Sequence, residues 1–273
     1  SVDHPVLLHV LTQKGRGFQP ALDGQKKFHG LGPYDPETGK TAASGLPTYA
    51  EVFANSLADL ATKDERIVAI TAAMPNGTGL DLFRPHHPKR YFDVGIAEEH
   101  AVIFAAGMAT RGFRPVCAIY STFLQRAFDP IVHDVCLQKL PVVFCMDRAG
   151  LSGDDGPTHH GLFDIGYLRS VPDIVLMAPK NEDELADMMK TALELPGPSA
   201  IRYPRGAVTG VARKPEPQAL PFGKADVLVA GEDVTIIGLG TTLPLAQELT
   251  ALLKHDAYSA AVINPRFIKT IDR

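Results

Sequence analysis

The chain has 273 residues, 45% of them hydrophobic, and a formal net charge of −4. That balance is ordinary for a globular protein and offers no polycationic surface to nucleic acid or to anionic lipid. Its longest apolar stretches, such as residues 140–146, are strand-length, far below the roughly 20 residues of a membrane-spanning helix.

The pattern opens with an apolar run at residues 6–11 that predicts a strand, followed by a glycine- and proline-rich stretch at 14–39. That stretch is too long and irregular for an ordinary connection, so it reads as functional or mobile. From Thr48 onward Tyr49, Val52, Phe53, Leu57 and Leu60 recur at helical spacing, and residues 67–70 read as a short buried strand. The alternation continues with a helix at 97–110, a strand at 115–120, a helix at 123–138 and a strand at 142–146. Beyond these come a strand at 174–177, a helix at 182–195 and a strand at 199–203. Strands alternating with helices predict an α/β domain with a mainly parallel sheet flanked by helices. Residues 207–222 are rich in Pro, Lys and Ala without periodicity, as an interdomain linker would be. Strands at 227–229, 234–238 and 260–263 and a helix at 243–253 then begin part of a C-terminal α/β domain. The length suits one complete domain plus pieces of others, and a start at Ser1 without an initiator Met reads as a cut piece.

Cys117, Cys136 and Cys145 sit in apolar surroundings without metal-ligand spacing, as reduced, buried thiols of a cytoplasmic protein would. Polar groups concentrate elsewhere, in four places. Residues 92–100 end in Glu98, Glu99 and His100 at the predicted start of a helix, where carboxylates are favoured by the backbone dipole and where open α/β sheets also place ligand groups. Residues 120–126 run Tyr-Ser-Thr-Phe-Leu-Gln-Arg: the hydroxyls can cap a helix and Phe123 can staple it, but Arg126 is harder to dismiss. Residues 147–161 hold glycines, acids, Arg148, His159 and His160 directly after a strand, a stretch costly to order unless something binds there. Asp154 and Asp155 lack the further oxygen ligands of a calcium loop. Arg202-Tyr-Pro-Arg-Gly leaves another strand, and with Arg148 it could supply two forks for a phosphate monoester. Gly238-Leu-Gly240 lacks the third glycine of a dinucleotide loop.

Taken together, Lys14-Gly-Arg-Gly-Phe, Phe28-His-Gly, Phe92-Asp-Val-Gly-Ile-Ala-Glu-Glu-His-Ala-Val, Tyr120-Ser-Thr-Phe-Leu-Gln-Arg-Ala-Phe-Asp, Asp147-Arg-Ala-Gly, Asp155-Gly-Pro-Thr-His and Arg202-Tyr-Pro-Arg-Gly, in that order, resemble the 1-deoxy-D-xylulose-5-phosphate synthases, a family of transketolase-like thiamine-diphosphate enzymes. The resemblance runs over nearly the whole chain. It implies that residues 1–40 are the tail of a diphosphate-binding domain with its linker, 41–210 a pyrimidine-binding domain and 211–273 the start of a C-terminal domain. The family's Gly-Asp-Gly metal and diphosphate motif does not occur here, so Mg2+ would be held outside this chain.

By the same resemblance Glu98 shares a proton with the ring nitrogen of the cofactor's aminopyrimidine. Phe123 lies against that ring, and Phe18 stands where many members carry Tyr. Tyr120, Arg126, Arg148, Asp155 and Arg205 fall at substrate-site positions, with His159 and His29 placed for proton transfer. His100 and His160 read as structural. The implied reaction joins pyruvate to D-glyceraldehyde 3-phosphate with loss of carbon dioxide, giving 1-deoxy-D-xylulose 5-phosphate, the first step of the non-mevalonate isoprenoid route and a feed for thiamine and pyridoxal synthesis. The implied partners are the missing N-terminal part of the same enzyme and a second copy in a homodimer. Two other readings compete. The beta subunit of a 2-oxoacid dehydrogenase's first component pairs the same two domains but would lack the 14–39 tail and the 147–159 motifs. A catalytically silent domain that binds a partner chain is the non-enzyme alternative.

Overall fold

The computed structural model describes residues 2–24, 28, 34–40 and 45–272 and divides into two compact units, residues 1–45 and 46–273. In the first unit, α1 (Gln19–Asp23) starts at Phe18, whose ring packs on those of Phe28 and Tyr34 with centroids 5.5 and 6.0 Å away. The strand expected at residues 6–11 does not form: the segment has no regular structure, and Val6, Leu7, Leu8, Val10 and Leu11 are exposed. A strand needs a neighbour for its backbone groups, and none of the described strands pairs with this one.

The second unit opens with α2 (Tyr49–Lys63), where Thr48 and Glu51 form a reciprocal capping box that fixes the helix start. Tyr49, Val52, Phe53, Leu57 and Ala61 form its buried face. There follow β1 (Ile67–Thr71), α3 (Leu80–Phe83), β2 (Tyr91–Asp93), α4 (Glu98–Thr110) and β3 (Arg114–Tyr120). The helix expected over 123–138 is broken into α5 (Ser121–Leu124), a 3₁₀ turn at Gln125–Ala127, α6 (Phe128–Pro130) and a π-helical stretch, Ile131–Cys136. Pro130 has no N–H for the carbonyl of Arg126, so the α-helical ladder cannot pass through it unchanged. After β4 (Val143–Asp147) come α7 (Asp164–Ser170), β5 (Val175–Met177), α8 (Glu182–Glu194), β6 (Ser199–Arg202), β7 (Asp226–Val229), β8 (Val234–Ile237), α9 (Leu243–His255), β9 (Ala260–Asn264) and β10 (Phe267–Lys269).

The main sheet has seven strands in the order β10-β5-β6-β4-β3-β1-β2, all parallel except β10. β1 and β4 are buried at every position, as expected of strands covered on both faces. One face packs on α2 and α8, and the other on α4, α7 and the broken helix. Ala101, Ala105 and Ala109 make the buried side of α4 small enough to lie close to the strands. A smaller sheet, β7-β9-β8, carries α9 through Leu243, Ala246 and Val262. Cys117, Cys136 and Cys145 are buried, and no helix among the described residues is long and apolar enough to cross a membrane.

Residues 207–222 are irregular, as expected, but they do not behave as a loose linker. Glu182, the first residue of α8, accepts hydrogen bonds from the amides of Thr209, Gly210 and Val211 and from the Thr209 hydroxyl. Lys214 bridges Asp183 and Asp187, the amide of Gln218 donates to Asp187, and that of Leu220 to Thr191 Oγ1. The segment is a strap pinned along one helix.

Candidate active site

Parallel pairing brings the C-terminal ends of the central strands to one edge, with Thr71 beside Asp93, Tyr120 beside Asp147 and Met146 beside Arg202. Side chains that leave these ends project into the crevice above the sheet. Asp93 is spent on structure there: its Oδ1 accepts the amides of Ala73 and Gly95 and shapes the turn into α4.

Glu98 is the first residue of α4 and is 2% exposed. A carboxylate in that position is favoured by the free amides of the first helical turn. Its Oε1 accepts Arg126 Nη1 at 2.8 Å, and its Oε2 has no hydrogen-bond partner among the described residues. The Arg126 guanidinium lies 5.0 Å from the centroid of the Phe123 ring, within the range of a cation–π contact. Phe123 is stacked on Tyr120 at 5.8 Å and meets His159 edge-on at 5.3 Å. Burial raises the Tyr120 hydroxyl's pKa above its ordinary value. Glycine is required at position 77, because a Cβ there would sit 1.5 Å from the Tyr120 oxygen.

Over the Tyr120 ring lies Arg148, its guanidinium carbon 3.8 Å from the ring centroid. Arg148 Nε donates to Asp155 Oδ2 at 2.9 Å, and Arg205 Nη1 reaches Asp155 Oδ1 at 2.9 Å, so one carboxylate joins both arginines. A cleft of 590 Å³ opens at this end, lined among others by Asn76, Gly77, Asp147, Arg148, Ser152 and Arg205. Glu98, Phe123 and His159 are not in its wall. The loop that carries Asp155 and His159 is tied at its base, where Gly150 and Gly161 exchange backbone hydrogen bonds. A Cβ on Gly161 would meet Ser121 Oγ at 2.4 Å and the Arg148 carbonyl at 2.5 Å.

Every expected site residue in the second unit therefore belongs to one unbroken run of contacts: Glu98, Arg126, Phe123, His159, Tyr120, Arg148, Asp155 and Arg205. Phe18 belongs to the first unit, within which it packs on Phe28 and Tyr34, and His29 lies outside the described residues. Of the two arginines at the exit of β6, Arg202 is taken by the buried Asp164 at 3.0 Å, which leaves Arg205 for the cleft. His160 accepts the Ser152 amide through Nδ1, and His100 is exposed with its ring beside Phe104. Among the described residues, no group of three or more His, Cys, Asp or Glu side chains could hold a metal ion.

Sequence reasoning passed over Asp147, which is 2% exposed and whose pKa burial pushes up to about 7, against the pull of Arg148. Its place in the Asp-Arg-Ala-Gly motif was visible, but nothing in that motif says that the carboxylate turns back on its neighbour. Gly77 and Gly161 were likewise beyond reach, since each is demanded by an atom distant in sequence.

The chain belongs to the transketolase family: residues 46–210 match its pyrimidine-binding domain and residues 223–273 its C-terminal domain. It is 74% identical over 270 residues to a 1-deoxy-D-xylulose-5-phosphate synthase of Acidobacterium capsulatum, a match covering 99% of this chain and 43% of that protein. A second synthase of that name, from Methylacidiphilum infernorum, is 66% identical over 271 residues, with the same shares covered. The chain spans 43% of the length of these curated relatives. Among solved structures, a split-gene transketolase in an inactive beta4 tetramer superposes with a TM-score of 0.72 at 29% identity, over 82% of this chain and 72% of that one. The transketolase of Pichia stipitis in complex with sedoheptulose 7-phosphate, at 18% identity and a TM-score of 0.69 over 86% of this chain and 37% of that one, shares the fold.

Proposed function

We propose that this chain carries the pyrimidine-side half of the active site of an enzyme that joins pyruvate to D-glyceraldehyde 3-phosphate, with release of carbon dioxide, to form 1-deoxy-D-xylulose 5-phosphate. The observation that carries the reading is the run of contacts from the half-used Glu98 carboxylate to the arginines bridged by Asp155. The identity to named synthases supports the same substrates. The product places the enzyme at the entry to isoprenoid synthesis.

The residues present fit thiamine diphosphate at one point that can be tested: a buried carboxylate at a helix N-terminus with an oxygen left over, beside an aromatic ring. Bound there, the cofactor supplies the electron sink that lets pyruvate lose its carboxylate. Glu98 holds a proton on the pyrimidine ring nitrogen, and Arg126 aims Glu98 through its single fork contact. Phe123 offers an apolar face to the ring. Arg148 and Arg205 receive the phosphate, and Tyr120 and Asp155 hold those arginines in place. His159 moves a proton at the oxygen of the reacting aldehyde. Mg2+, held by residues outside this chain, a homodimeric assembly and a cytoplasmic location complete the proposal.

The decisive experiment mixes this chain with the N-terminal part of the enzyme, thiamine diphosphate, Mg2+, pyruvate and glyceraldehyde 3-phosphate, and measures the ketose phosphate. Activity is expected in the mixture, together with calorimetric binding of thiamine diphosphate. A mixture that binds the cofactor but turns over ribose 5-phosphate instead would replace the acceptor in this reading.

A further inference from the structure

Asp147 stands at the wall of the cleft and has no part in the function proposed above. It is the last residue of β4, 2% exposed, and both its oxygens turn to the next residue: Oδ1 accepts the Arg148 amide and Oδ2 accepts Arg148 Nη1 at 2.9 Å. Arg148 itself has φ +61°, in the left-handed region that residues other than glycine rarely enter. A carboxylate bonded to that amide holds the turn, and the same carboxylate holds the far end of the side chain. Nη1 also donates to the Gly77 carbonyl at 3.2 Å, while the guanidinium carbon lies 3.8 Å from the Tyr120 ring centroid. Backbone and head group are thus fixed together by one acid.

That arrangement is costly. Burial pushes the Asp147 acid up to about 7, with Arg148 and Arg205 opposing the rise and Asp155 adding to it. A buried strand end that needed only to fill space would be better served by an apolar residue. An acid retained at that cost beside a cleft arginine is best explained by what it does to the arginine.

We propose that Asp147 is the positioning residue of the phosphate site: by binding both the amide and the Nη1 of Arg148 it aims that guanidinium at the phosphate of the acceptor. This rests on the reading of Arg148 and Arg205 as phosphate receivers. The contact with Asp155, on Nε, comes from the loop between Gly150 and Gly161, whereas Asp147 is the last residue of a sheet strand, so Asp147 is the fixed reference for the aim.

The test compares the wild type, Asp147→Asn and Arg148→Ala in the complete enzyme with thiamine diphosphate and Mg2+. One readout is the preference for glyceraldehyde 3-phosphate over unphosphorylated glyceraldehyde, as the ratio of kcat/KM values. A second, independent of turnover, is the binding of labelled inorganic phosphate by equilibrium dialysis. Asp147→Asn is expected to lower the preference about tenfold and to weaken phosphate binding to a similar degree, the size of one charge-assisted hydrogen bond. Arg148→Ala lowers both further. If Arg148→Ala lowers both while Asp147→Asn leaves them unchanged, or tightens phosphate by removing a nearby negative charge, the positioning role is wrong. If Arg148→Ala itself leaves the preference intact, the phosphate reading falls first. Thermal unfolding of each variant, with Asp147→Ser as a second substitution, separates lost aim from lost fold.

Discussion

Two helices of this protein begin with a buried glutamate. Glu98 opens α4 and Glu182 opens α8, each helix has 13 residues, and each glutamate is 2% exposed. A helix N-terminus favours a carboxylate in both places, yet their partners differ. Glu182 accepts four hydrogen bonds from the 209–211 segment, using both oxygens. Glu98 accepts one, from Arg126, on one oxygen. A carboxylate that holds a fold together is saturated by the chain it holds, whereas one kept for a ligand leaves an oxygen in reserve.

Substitution of each glutamate breaks or sharpens that contrast most directly. Glu98→Ala is expected to cost the complete enzyme on the order of 100- to 10,000-fold in kcat, the range for loss of a positioned acid–base group, while urea unfolding moves little. Glu182→Ala should do the reverse: it orphans the amides that pin the strap and lowers stability by about 3 kcal/mol, read from urea unfolding. Equal loss of stability in both variants would erase the contrast between the two glutamates.

A smaller effect tests the loop that completes the Glu98 side of the crevice. Gly161→Ala places a methyl group against Ser121 Oγ and the Arg148 carbonyl, so it should cost about 2 kcal/mol of stability and loosen the loop bearing His159, seen as faster proteolysis between residues 150 and 161. The smallest effect is a pH dependence. Burial pushes Glu182 upward, but the hydrogen bonds from Thr209 and the backbone amides outweigh it and hold its acid below the ordinary value of 4.5. The stability it gives is fully present above about pH 4.5 and drains as the pH falls through the lowered value. Asp147 has the opposite sign: raised to about 7 in the folded chain, it makes stability rise as the pH falls from about 7 toward 4. Comparing denaturation curves from pH 7 to 3 for the wild type, Glu182→Gln and Asp147→Asn should show each slope disappear in its own variant.

Much of the fold was legible in the sequence because parallel strands buried on both faces read as continuous apolar runs, as at β1 and β4, and α2 and α8 show one apolar stripe each. The elements that escaped are short or depend on distant neighbours. β2 and β10 have three residues each, too few for a period. The helix expected at 123–138 contained its breaker in plain view at Pro130, while the strand expected at 6–11 had the right composition and no partner. The strap looked like a linker because most of its anchors are backbone amides, which leave no mark on the residue pattern. In the site, the clusters at 92–100, 120–126 and 147–161 were visible as polar groups at strand exits. Which member of each cluster points where was not: Arg202 and Arg205 differ in position by three residues, and one is spent on Asp164 while the other reaches Asp155.

The antiparallel strand β10 lies at the rim of the seven-stranded sheet, paired through Phe267 and Lys269 to Met177 and Leu176. Parallel sheets with bare rims recruit further strands from other molecules, and a three-residue finisher with a bulge in its pairing is a poor template for continuation. Strand β10 therefore acts as a hem. A version of the chain that stops before Phe267 would expose the backbone edge of Val175–Met177, and its failure would take the form of self-association in solution while the crevice at the C-terminal ends of the central strands stayed intact.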